Sequence, residues 1–321
     1  MTTYLIWNNY GRRQKMKTNL VVTASDKKYG DFLIEHWYRS LKIHGNLNQF
    51  DVAVLDYGLS TAQRYYLQSH GVIVRTCERD GHVTSIRYRD LSCFLQEHPE
   101  YEQAMLCDSG DIIFQADIAP LFLEKSNQFR AVCEDYKPLF SIFISNDFFD
   151  PEDKERLLTC FVKNPMINGG MVIGPRQKML DLCNEMMSVI KDKSRFGPDQ
   201  IVLNGYLYEN GFYRLDSIYN YVIATAREGV EIRNGEFYTR AGRRIVVVHN
   251  AGNVGTFRPI EHFGYGPSHN IIKDDVYKML KTFYESTDGL FKTQELFLDS
   301  QRKFKSAVRK FLKDMGIKEQ P

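Results

Sequence analysis

The stretch MLCDSGDIIF at residues 105–114 places two carboxylates, Asp108 and Asp111, between two short apolar runs. The run before Asp108 is typical of a buried strand, so both carboxylates should lie just beyond the end of that strand. Carboxylates are the hard oxygen ligands that Mg²⁺ and Mn²⁺ prefer, and such ions usually keep positions open for substrate phosphates. The stretch therefore predicts a metal site; a solvated Asp/Gly turn is the alternative that the same residues allow.

Upstream of this stretch, short apolar runs alternate with helical patterns. Strands are predicted at residues 20–24, 52–55, 71–74 and 104–107, with helices between them. This alternation is typical of βαβ units and predicts an α/β fold with a largely parallel sheet. Ligands bind beyond the carboxyl ends of such strands. The first site candidates are therefore the polar residues that follow the runs, namely Thr23, Ser25, Asp26, Asp56, Asp108 and Asp111.

Beyond Phe114 the alternation becomes irregular, and no internal repeat or low-complexity linker divides the chain. We therefore predict one α/β domain over residues 18–265 and a C-terminal helical basic tail over residues 266–321. The elements predicted in this half are strands at 131–134, 170–173 and 244–249, helices at 179–190 and 201–207, and a tail helix at 275–315.

The composition is that of a globular protein with no general affinity for nucleic acid. Of 321 residues, 43% are hydrophobic and 26% are charged, which argues against disorder, and the formal net charge is only +2. The six cysteines form no C-x-x-C pair, so buried free thiols and a reducing compartment are expected. The N-terminal residues lack the apolar core of a signal peptide, and no stretch has the length of a membrane span. A cytoplasmic location is therefore predicted.

The segment from Arg302 to Lys313 has the pattern of a basic amphipathic helix, with its apolar residues on one face. Such a helix suits an anionic membrane surface, so peripheral membrane contact through this tail is one prediction. The alternative is that the apolar face packs onto the domain while the cations point to solvent.

Three further features could contribute to a site. His249 ends the strand predicted at 244–249, and a neutral imidazole is a good ligand for Mn²⁺; an ordinary hydrogen-bonded histidine fits as well. The bends at residues 168–170 and 197–200 combine glycine with side chains that can bind sugar hydroxyls, and turn or helix-cap chemistry is their alternative. Arg87 and Arg89 suit phosphate oxygens or a solvated helix face.

Together these segments resemble the family 8 glycosyltransferases and their GT-A-fold relatives, which include glycogenin and bacterial lipooligosaccharide galactosyltransferases. The resemblance extends from Asn19 to Pro259 in consistent chain order. Its anchors are residues 20–26, 108–111, 117–122, 168–170, 199–200 with Asn204, 219–221, and His249 with Gly252 and residues 258–259.

This resemblance implies a GT-A α/β fold and a retaining, metal-dependent transfer of a hexose from a nucleotide sugar to a saccharide or glycoconjugate acceptor, with UDP as the expected nucleotide. It implies that Asp108, Asp111 and His249 hold Mn²⁺ or Mg²⁺ on the donor diphosphate. Asp199 and Gln200 are the implied catalytic residues, facing the donor sugar and the acceptor. The implied donor-binding residues are Thr23, Ala24, Ser25, Asp26, Arg87, Arg89, Ser109, Asn168, Gly169, Gly252 and Arg258.

Two departures from the family keep other functions open. The family usually has D-x-D where this chain has D-x-x-D, and the lysine that the family places at the diphosphate is Arg258 here. A binding module that kept the fold and lost catalysis is one alternative, which the altered carboxylate spacing supports. A sugar nucleotidyltransferase is another. Those enzymes carry a glycine-rich basic loop after the first strand, whereas residues 25–30 offer one glycine.

Overall fold

The computed structural model describes residues 5–7, 13–15, 17–138, 140–252 and 258–286. Within these residues the strands are β1 (Leu5–Trp7), β2 (Arg13–Lys15), β3 (Asn19–Ser25), β4 (Asp51–Asp56), β5 (Ile73–Thr76), β6 (Gln103–Asp108), β7 (Ile112–Phe114), β8 (Phe129–Cys133), β9 (Ile167–Pro175), β10 (Phe212–Arg214), β11 (Tyr221–Val222), β12 (Val230–Arg233), β13 (Glu236–Thr239), β14 (Val247–His249), β15 (Ile260–Glu261) and β16 (Ile271–Ile272).

The helices of the same residues begin with a continuous element formed by α1 (Gly30–Phe32), a π-helical segment (Leu33–Tyr38) and α2 (Arg39–His44). They continue with α3 (Thr61–Ser69), α4 (Val83–Glu97), α5 (Pro120–Leu123), α6 (Pro151–Lys163), α7 (Arg176–Val189) and α8 (Pro198–Asn210). Short 3₁₀ helices cover Phe140–Phe143 and Ser217–Tyr219, and a final helix covers residues 274–286.

The central sheet has the strand order β10-β8-β9-β6-β3-β4-β5 within the described part of the chain. Strands β3, β4, β5 and β6 run parallel, so the α/β fold and the parallel arrangement predicted for this half are confirmed. The register pairs Ser25 with Asp56 and Ala24 with Asp108, which sets the polar ends of three strands along one edge. Strand β9 runs antiparallel to both β6 and β8, so the sheet as a whole is mixed.

A second, three-stranded sheet with the order β11-β14-β7 lies next to that edge. The three residues 109–111 connect β6 to β7, and β14 pairs antiparallel with β7. Ile113 and Val248 pair across these strands and are buried in the same apolar cluster, which stabilises the register. The small sheet therefore connects the end of β6 to a strand from the last third of the domain.

Several elements differ in extent from their predictions. The helix α4 covers Val83–Glu97, well beyond the apolar residues at 91–95 that indicate a helix there in the sequence, and α8 begins at Pro198, a residue suited to the first helical turn. The strand predicted at 244–249 is limited to Val247–His249. It starts late because Ile245 donates its N–H to Phe237 and Val246 donates to Ile218, outside the β14 ladder.

The C-terminal part of the described chain packs onto the domain. Strand β16 pairs with β15, and the helix at residues 274–286 buries Leu280 and stacks Tyr284 on Tyr136 with ring centroids 6.5 Å apart. The start of the predicted tail helix is thus helical, while its continuation and the basic segment at 302–313 lie outside the described residues. Among the helices that are described, none combines the length and the apolar character of a membrane span. All six cysteines are free thiols, and Cys107, Cys133 and Cys183 are buried as expected, whereas Cys77, Cys93 and Cys160 are only partly buried.

Candidate functional site

Three potential metal ligands converge at the edge of the central sheet. Asp108 ends β6, Asp111 directly precedes β7, and His249 ends β14. One ligand atom from each lies within 4.8 Å of the other two. Nε2 of His249 is 3.4 Å from Asp111 Oδ1 and 4.0 Å from Asp108 Oδ2. The pairing of His249 with Ile112 produces this convergence, because it sets the imidazole beside the residue that precedes β7.

Each carboxylate divides its two oxygens between an arginine and the histidine. Asp108 Oδ1 accepts a hydrogen bond from Arg87 at 2.5 Å, and its Oδ2 faces His249. Asp111 Oδ2 accepts from Arg258 at 3.0 Å, and its Oδ1 faces His249. Two carboxylate oxygens and one imidazole nitrogen are therefore left facing one another. Ligands held octahedrally at about 2.1 Å lie about 3 Å apart on adjacent positions, so the 3.4 and 4.0 Å separations would shorten on binding Mg²⁺ or Mn²⁺, whose preferred ligand types are present.

Burial and the facing charges act in opposite directions on the protonation of this group. Burial alone would lower the pKa of His249, but the Asp111 and Asp108 carboxylates raise it overall. Burial alone would raise the pKa of Asp111, but His249, Arg258 and Arg87 lower it overall. The arrangement therefore favours a cation between the carboxylates, either as a proton on the imidazole or as a metal ion.

A chain of buried hydrogen bonds orients the His249 ring. Nδ1 of His249 lies 3.1 Å from Asn220 Oδ1, and Asn220 Nδ2 donates to Asn168 Oδ1 at 2.9 Å. Asn168 Nδ2 donates to Glu134 Oε1 at 2.8 Å, and Thr225 Oγ1 donates to Glu134 Oε2 at 2.6 Å. Both amides thus donate towards the carboxylate, so Nδ1 of His249 carries a proton, and the neutral form of the ring presents the Nε2 lone pair to a metal ion.

Two further observations concern this chain of hydrogen bonds. Gly170 leaves space for the ring, because a Cβ at that position would lie 2.3 Å from His249 Cε1 and 2.8 Å from Asn168 Oδ1. Burial raises the pKa of Glu134, against the lowering effect of the hydrogen bonds from Thr225 and Asn168. A Cβ at residue 170 would therefore force the His249 ring or the Asn168 amide to shift.

The end of β3 lines the same cleft, which has a volume of about 910 Å³. Ala24, Ser25 and Asp26 all contribute to its surface, and Ser25 Oγ is buried without a hydrogen-bond partner in the described residues. Asp26 Oδ2 accepts a hydrogen bond from Arg79 at 2.8 Å. Ser109 also lines the cleft, and its hydroxyl donates to the carbonyl of Ala24 at 2.7 Å. Ser25 is therefore the member of this group with an unused polar atom.

Asp199 lies at the start of α8, with its carboxylate held by two neighbours. Thr84 Oγ1 donates to Oδ1 at 3.1 Å, and Arg87 Nη2 lies 3.8 Å from Oδ2. Burial raises the pKa of Asp199 to about 6, and Arg87 opposes that effect. Arg87 thus connects Asp108 with Asp199.

Gln200 has a different environment from its neighbour in sequence. Its Oε1 accepts from the backbone N–H of Gly169 at 2.9 Å, and its Nε2 donates to the carbonyl of Ile167. The residue lines the cleft together with Asn168, Gly169, Gly252 and Arg258, but both polar ends of its side chain are used to hold β9.

Two predicted donor-binding residues do not line the cleft. Thr23 is fully buried within β3, where the register places it between Val54 and Cys107 in the middle of the sheet. Arg89 points away from the cleft and pairs with Asp80 at 2.6 Å. Residues two apart on an α-helix differ in direction by about 200°, so Arg87 and Arg89 cannot both face one site. The assignments of Thr23 and Arg89 were therefore wrong.

A large part of the cleft is apolar, which the sequence analysis did not predict. Phe140, Phe143 and Phe196 contact one another with ring centroids 5.4 to 6.1 Å apart. Other apolar residues come from the helix at residues 274–286. We call the following set the apolar lining: Pro138, Phe140, Ile142, Phe143, Phe196, Met279, Leu280 and Phe283. We call the following set the charged lining: Asp26, Arg79, Arg87, Asp108, Asp111, His249 and Arg258.

Sequence reasoning also missed three polar or aromatic residues, Tyr29, Arg79 and Glu134, and gave no role to Asn220, which lies within the anchor at 219–221. Tyr29 and Arg79 line the cleft beside Asp26, and the ring of Tyr29 fills the space that a Cβ at Gly110 would occupy. The position of Tyr29 just after the end of β3 could have indicated it. Glu134 and Asn220 act through His249, and only the three-dimensional hydrogen-bond chain reveals this role.

The comparisons with known proteins identify the fold. A solved structure of the galactosyltransferase LgtC with donor and acceptor sugar analogues matches at a TM-score of 0.51 and 16% identity, covering 83% of this chain and 96% of that chain. An active-site mutant of LgtC matches at 0.51 and 15%, covering 81% and 94%. The bifunctional glycosyltransferase WbbM matches at 0.51 and 16%, covering 75% of this chain and 47% of the WbbM chain.

At these identities the likeness is one of fold, and it confirms the predicted GT-A arrangement of a mixed sheet flanked by helices. No protein-family profile and no curated protein matches the sequence.

Proposed function

We propose that this chain is a glycosyltransferase that moves a hexose from a nucleoside-diphosphate sugar, with UDP as the expected nucleotide, to a hydroxyl acceptor. The observation that carries the proposal is the convergence of Asp108, Asp111 and His249 from distant parts of the chain into one cleft of a GT-A fold. Carboxylate oxygens and imidazole are suitable ligands for a divalent ion that also meets a diphosphate.

In this proposal Asp108 Oδ2, Asp111 Oδ1 and His249 Nε2 hold Mn²⁺ or Mg²⁺. The bound ion supplies charge neutralisation for the diphosphate as the sugar departs. Arg258, which contacts Asp111 from the adjoining loop, adds a guanidinium that suits phosphate oxygens. Arg87 keeps the Asp108 carboxylate in place by donating a hydrogen bond to its Oδ1. The charged lining is thus fixed before any substrate arrives, which is the condition for electrostatic stabilisation of a developing charge.

Asp199 is the carboxylate that we assign to the sugar side of the reaction. Its pKa of about 6 leaves it ionised at neutral pH, so it can stabilise positive charge that develops on a sugar ring. Gln200 is the weaker candidate because both polar ends of its side chain bind the backbone of β9. We propose retention of the anomeric configuration, as the resemblance to family 8 implies.

A panel of nucleotide sugars tests this proposal. Each donor is incubated with the full chain and Mn²⁺, or with EDTA, and release of nucleoside diphosphate is measured with and without simple glycosides. Hydrolysis or transfer of one donor, lost in EDTA, is the expected result. Release of pyrophosphate would support a nucleotidyltransferase, and no turnover of any donor would refute the proposed activity.

One observation favours a second candidate, a binding module without catalysis. Both carboxylates of the D-x-x-D segment already pair with arginines, so the site can be neutral without a metal ion. Calorimetry with UDP distinguishes the two functions. Binding that is the same with and without Mn²⁺, together with no donor turnover, would support the module.

A further inference from the structure

The cleft carries exposed apolar surface close to its polar groups. Ile142, Met279 and Phe283 keep 71%, 47% and 44% of their surface exposed, and all three line the cleft. Exposed apolar residues that lie together in a cleft usually mark a binding surface, whereas scattered ones need no explanation. This surface is therefore a candidate for contact with a ligand.

The phenylalanine rings of the apolar lining contact segments that lie next to Asp199. Gly197, two residues before Asp199, packs so closely on Phe143 that a Cβ would lie 2.6 Å from its ring. Phe196 contacts His82 with centroids 5.6 Å apart, and Thr84, close to His82 in sequence, binds Asp199. The phenylalanine rings therefore pack against the segments that carry and hold Asp199.

The second part of the apolar lining comes from the helix at residues 274–286. Leu280 is buried, and Tyr284 stacks on Tyr136, so this helix is held against the domain. Met279 and Phe283 belong to the same helix and expose their side chains towards the cleft. The apolar surface is thus supplied by two elements that the structure fixes in place.

We propose that the acceptor is an amphiphile, in which the hydroxyl that receives the sugar is joined to an alkyl or aryl group that lies on the apolar lining. This inference rests on the proposed function. Sugar hydroxyls require hydrogen-bonding partners, and the side chains of the apolar lining supply none, so this surface suits an alkyl or aryl group better than it suits sugar hydroxyls.

The size and continuity of the cleft support the same acceptor. Its volume of about 910 Å³ is near the upper end of the range for a single ligand, which leaves space for a second substrate beside the donor. The polar and apolar residues line one continuous cleft, so the hydroxyl of an amphiphile can reach Asp199 while its apolar group remains on the phenylalanine rings.

The experiment compares acceptors that share one sugar and differ in the aglycone. Methyl, butyl, octyl and 4-nitrophenyl glycosides, below their critical micelle concentrations, are offered with the donor identified by the panel. Each methylene that becomes buried favours binding about fourfold. We expect kcat/KM to rise at least about tenfold from methyl to octyl, mainly through KM, and the 4-nitrophenyl arm separates aryl from alkyl recognition.

Matched variants locate the effect. Phe283→Ser and Ile142→Ser should each reduce the octyl-to-methyl ratio, whereas Leu123→Ser, which changes an 80% exposed leucine outside the cleft, should leave that ratio unchanged. Equal use of methyl and octyl glycosides by the full chain would overturn the inference. So would variants that leave the ratio unaltered.

A binding measurement keeps this test separate from the proposed activity. Calorimetric titration with octyl and methyl glycosides needs no turnover, and tighter binding of octyl glycoside that Phe283→Ser weakens is expected. If no donor is ever turned over but octyl glycoside binds in this way, the proposed function fails and the apolar site stands. If donors are hydrolysed but octyl and methyl glycosides bind alike, the amphiphilic acceptor fails alone.

Discussion

The charged lining and the apolar lining form one cleft but are built in different ways. Members of the charged lining come mainly from strand ends and are paired with one another, as Arg79 is with Asp26 and Arg258 with Asp111. The apolar lining comes from a 3₁₀ helix, a loop and the helix at residues 274–286, and several of its side chains are exposed. The first is therefore preorganised for charge, whereas the second offers area without directional contacts.

This difference determines which property of a ligand the charged lining and the apolar lining can each select. Paired charges that are fixed by a sheet discriminate by position and sign, as a metal ion or a diphosphate requires. Apolar side chains discriminate weakly by shape, so they tolerate a range of apolar groups. Changes to the charged lining should therefore have large effects that are confined to donor and metal.

The largest effect is expected from Asp111→Asn. The substitution removes the charge of one carboxylate that faces His249 and should abolish Mn²⁺ binding and lower donor hydrolysis on the order of a thousandfold. Binding of octyl glycoside should be unchanged, because the apolar lining is made by other elements. Calorimetry and donor hydrolysis measure the two effects.

Asp181→Asn is the control for this change, since it removes an exposed carboxylate on α7. It should alter neither measurement. Wild-type Mn²⁺ affinity in Asp111→Asn would refute the metal site, and a parallel loss of octyl glycoside binding would break the distinction between the two linings.

The next effect in size is expected from Asn220→Ala. Removal of the amide leaves Nδ1 of His249 without its acceptor, so the ring loses the partner that fixes its tautomer. Loss of such a partner typically lowers metal affinity 10- to 100-fold, about the effect we expect in Mn²⁺ titrations.

Asn220→Asp keeps an oxygen that accepts from Nδ1 and should lose less affinity than Asn220→Ala. The exposed Asn210, at the end of α8, supplies a control as Asn210→Ala. Equal losses in the alanine and aspartate variants would contradict a role in orienting the ring and would indicate a general disturbance of the core.

A smaller effect concerns the pH dependence of turnover. The pKa of Asp199 is about 6, because burial disfavours its charged form, so the carboxylate gains a proton as the pH falls through that value. If the ionised form acts on the sugar, donor turnover should fall about tenfold between pH 7 and pH 5. In Asp199→Asn the remaining activity should lack this step, and persistence of the step would assign it to another group.

The smallest effect is the dependence of ligand binding on salt concentration, which should differ between the two linings. Raising NaCl from 0.05 M to 0.5 M should weaken UDP binding several-fold, because counter-ions screen Arg79 and Arg258. Burial of an apolar group is not screened, so binding of octyl glycoside should stay the same or tighten slightly. Titrations of both ligands at both salt concentrations make the comparison. A similar weakening of both would mean that the two ligands meet the same charges.

The charged lining was the more predictable part from sequence, for a physical reason. Parallel strands bring their carboxyl ends to one edge, so Asp26 and Asp108 could be placed there from the position of the apolar runs alone. The residue types of Asp108, Asp111 and His249 made each a candidate metal ligand, and the family resemblance combined them into one site. What no local pattern contains is the register of β14 on β7, which brings His249 to Asp111.

The wrong assignments also have simple causes. Thr23 lies two residues before Ser25 on β3. It is therefore buried in the middle of the sheet, whereas Ser25 lies at the edge. Helix geometry excludes that Arg87 and Arg89 both face one site, since their side chains point in different directions. Only the packing of α4 decides which of them faces Asp108.

The apolar lining could not be predicted because its residues look like core residues in the sequence. Phenylalanine, isoleucine and methionine are usually buried, so the segment at 140–143 carries no sign that it borders a cleft. The same holds for Met279 and Phe283, whose spacing fits an ordinary packed helix. Their exposure became visible only once the elements were assembled.

The antiparallel pairing of β14 with β7 has a consequence for the way this chain is made. As the ribosome synthesises the protein, Asp108 and Asp111 emerge early and the parallel strands around them can begin to assemble. The third ligand arrives only after most of the domain has been translated, and a contact so distant in sequence forms slowly. Capture of a divalent ion would therefore mark a nearly finished nascent chain, and incomplete chains that end before β14 should show no such capture.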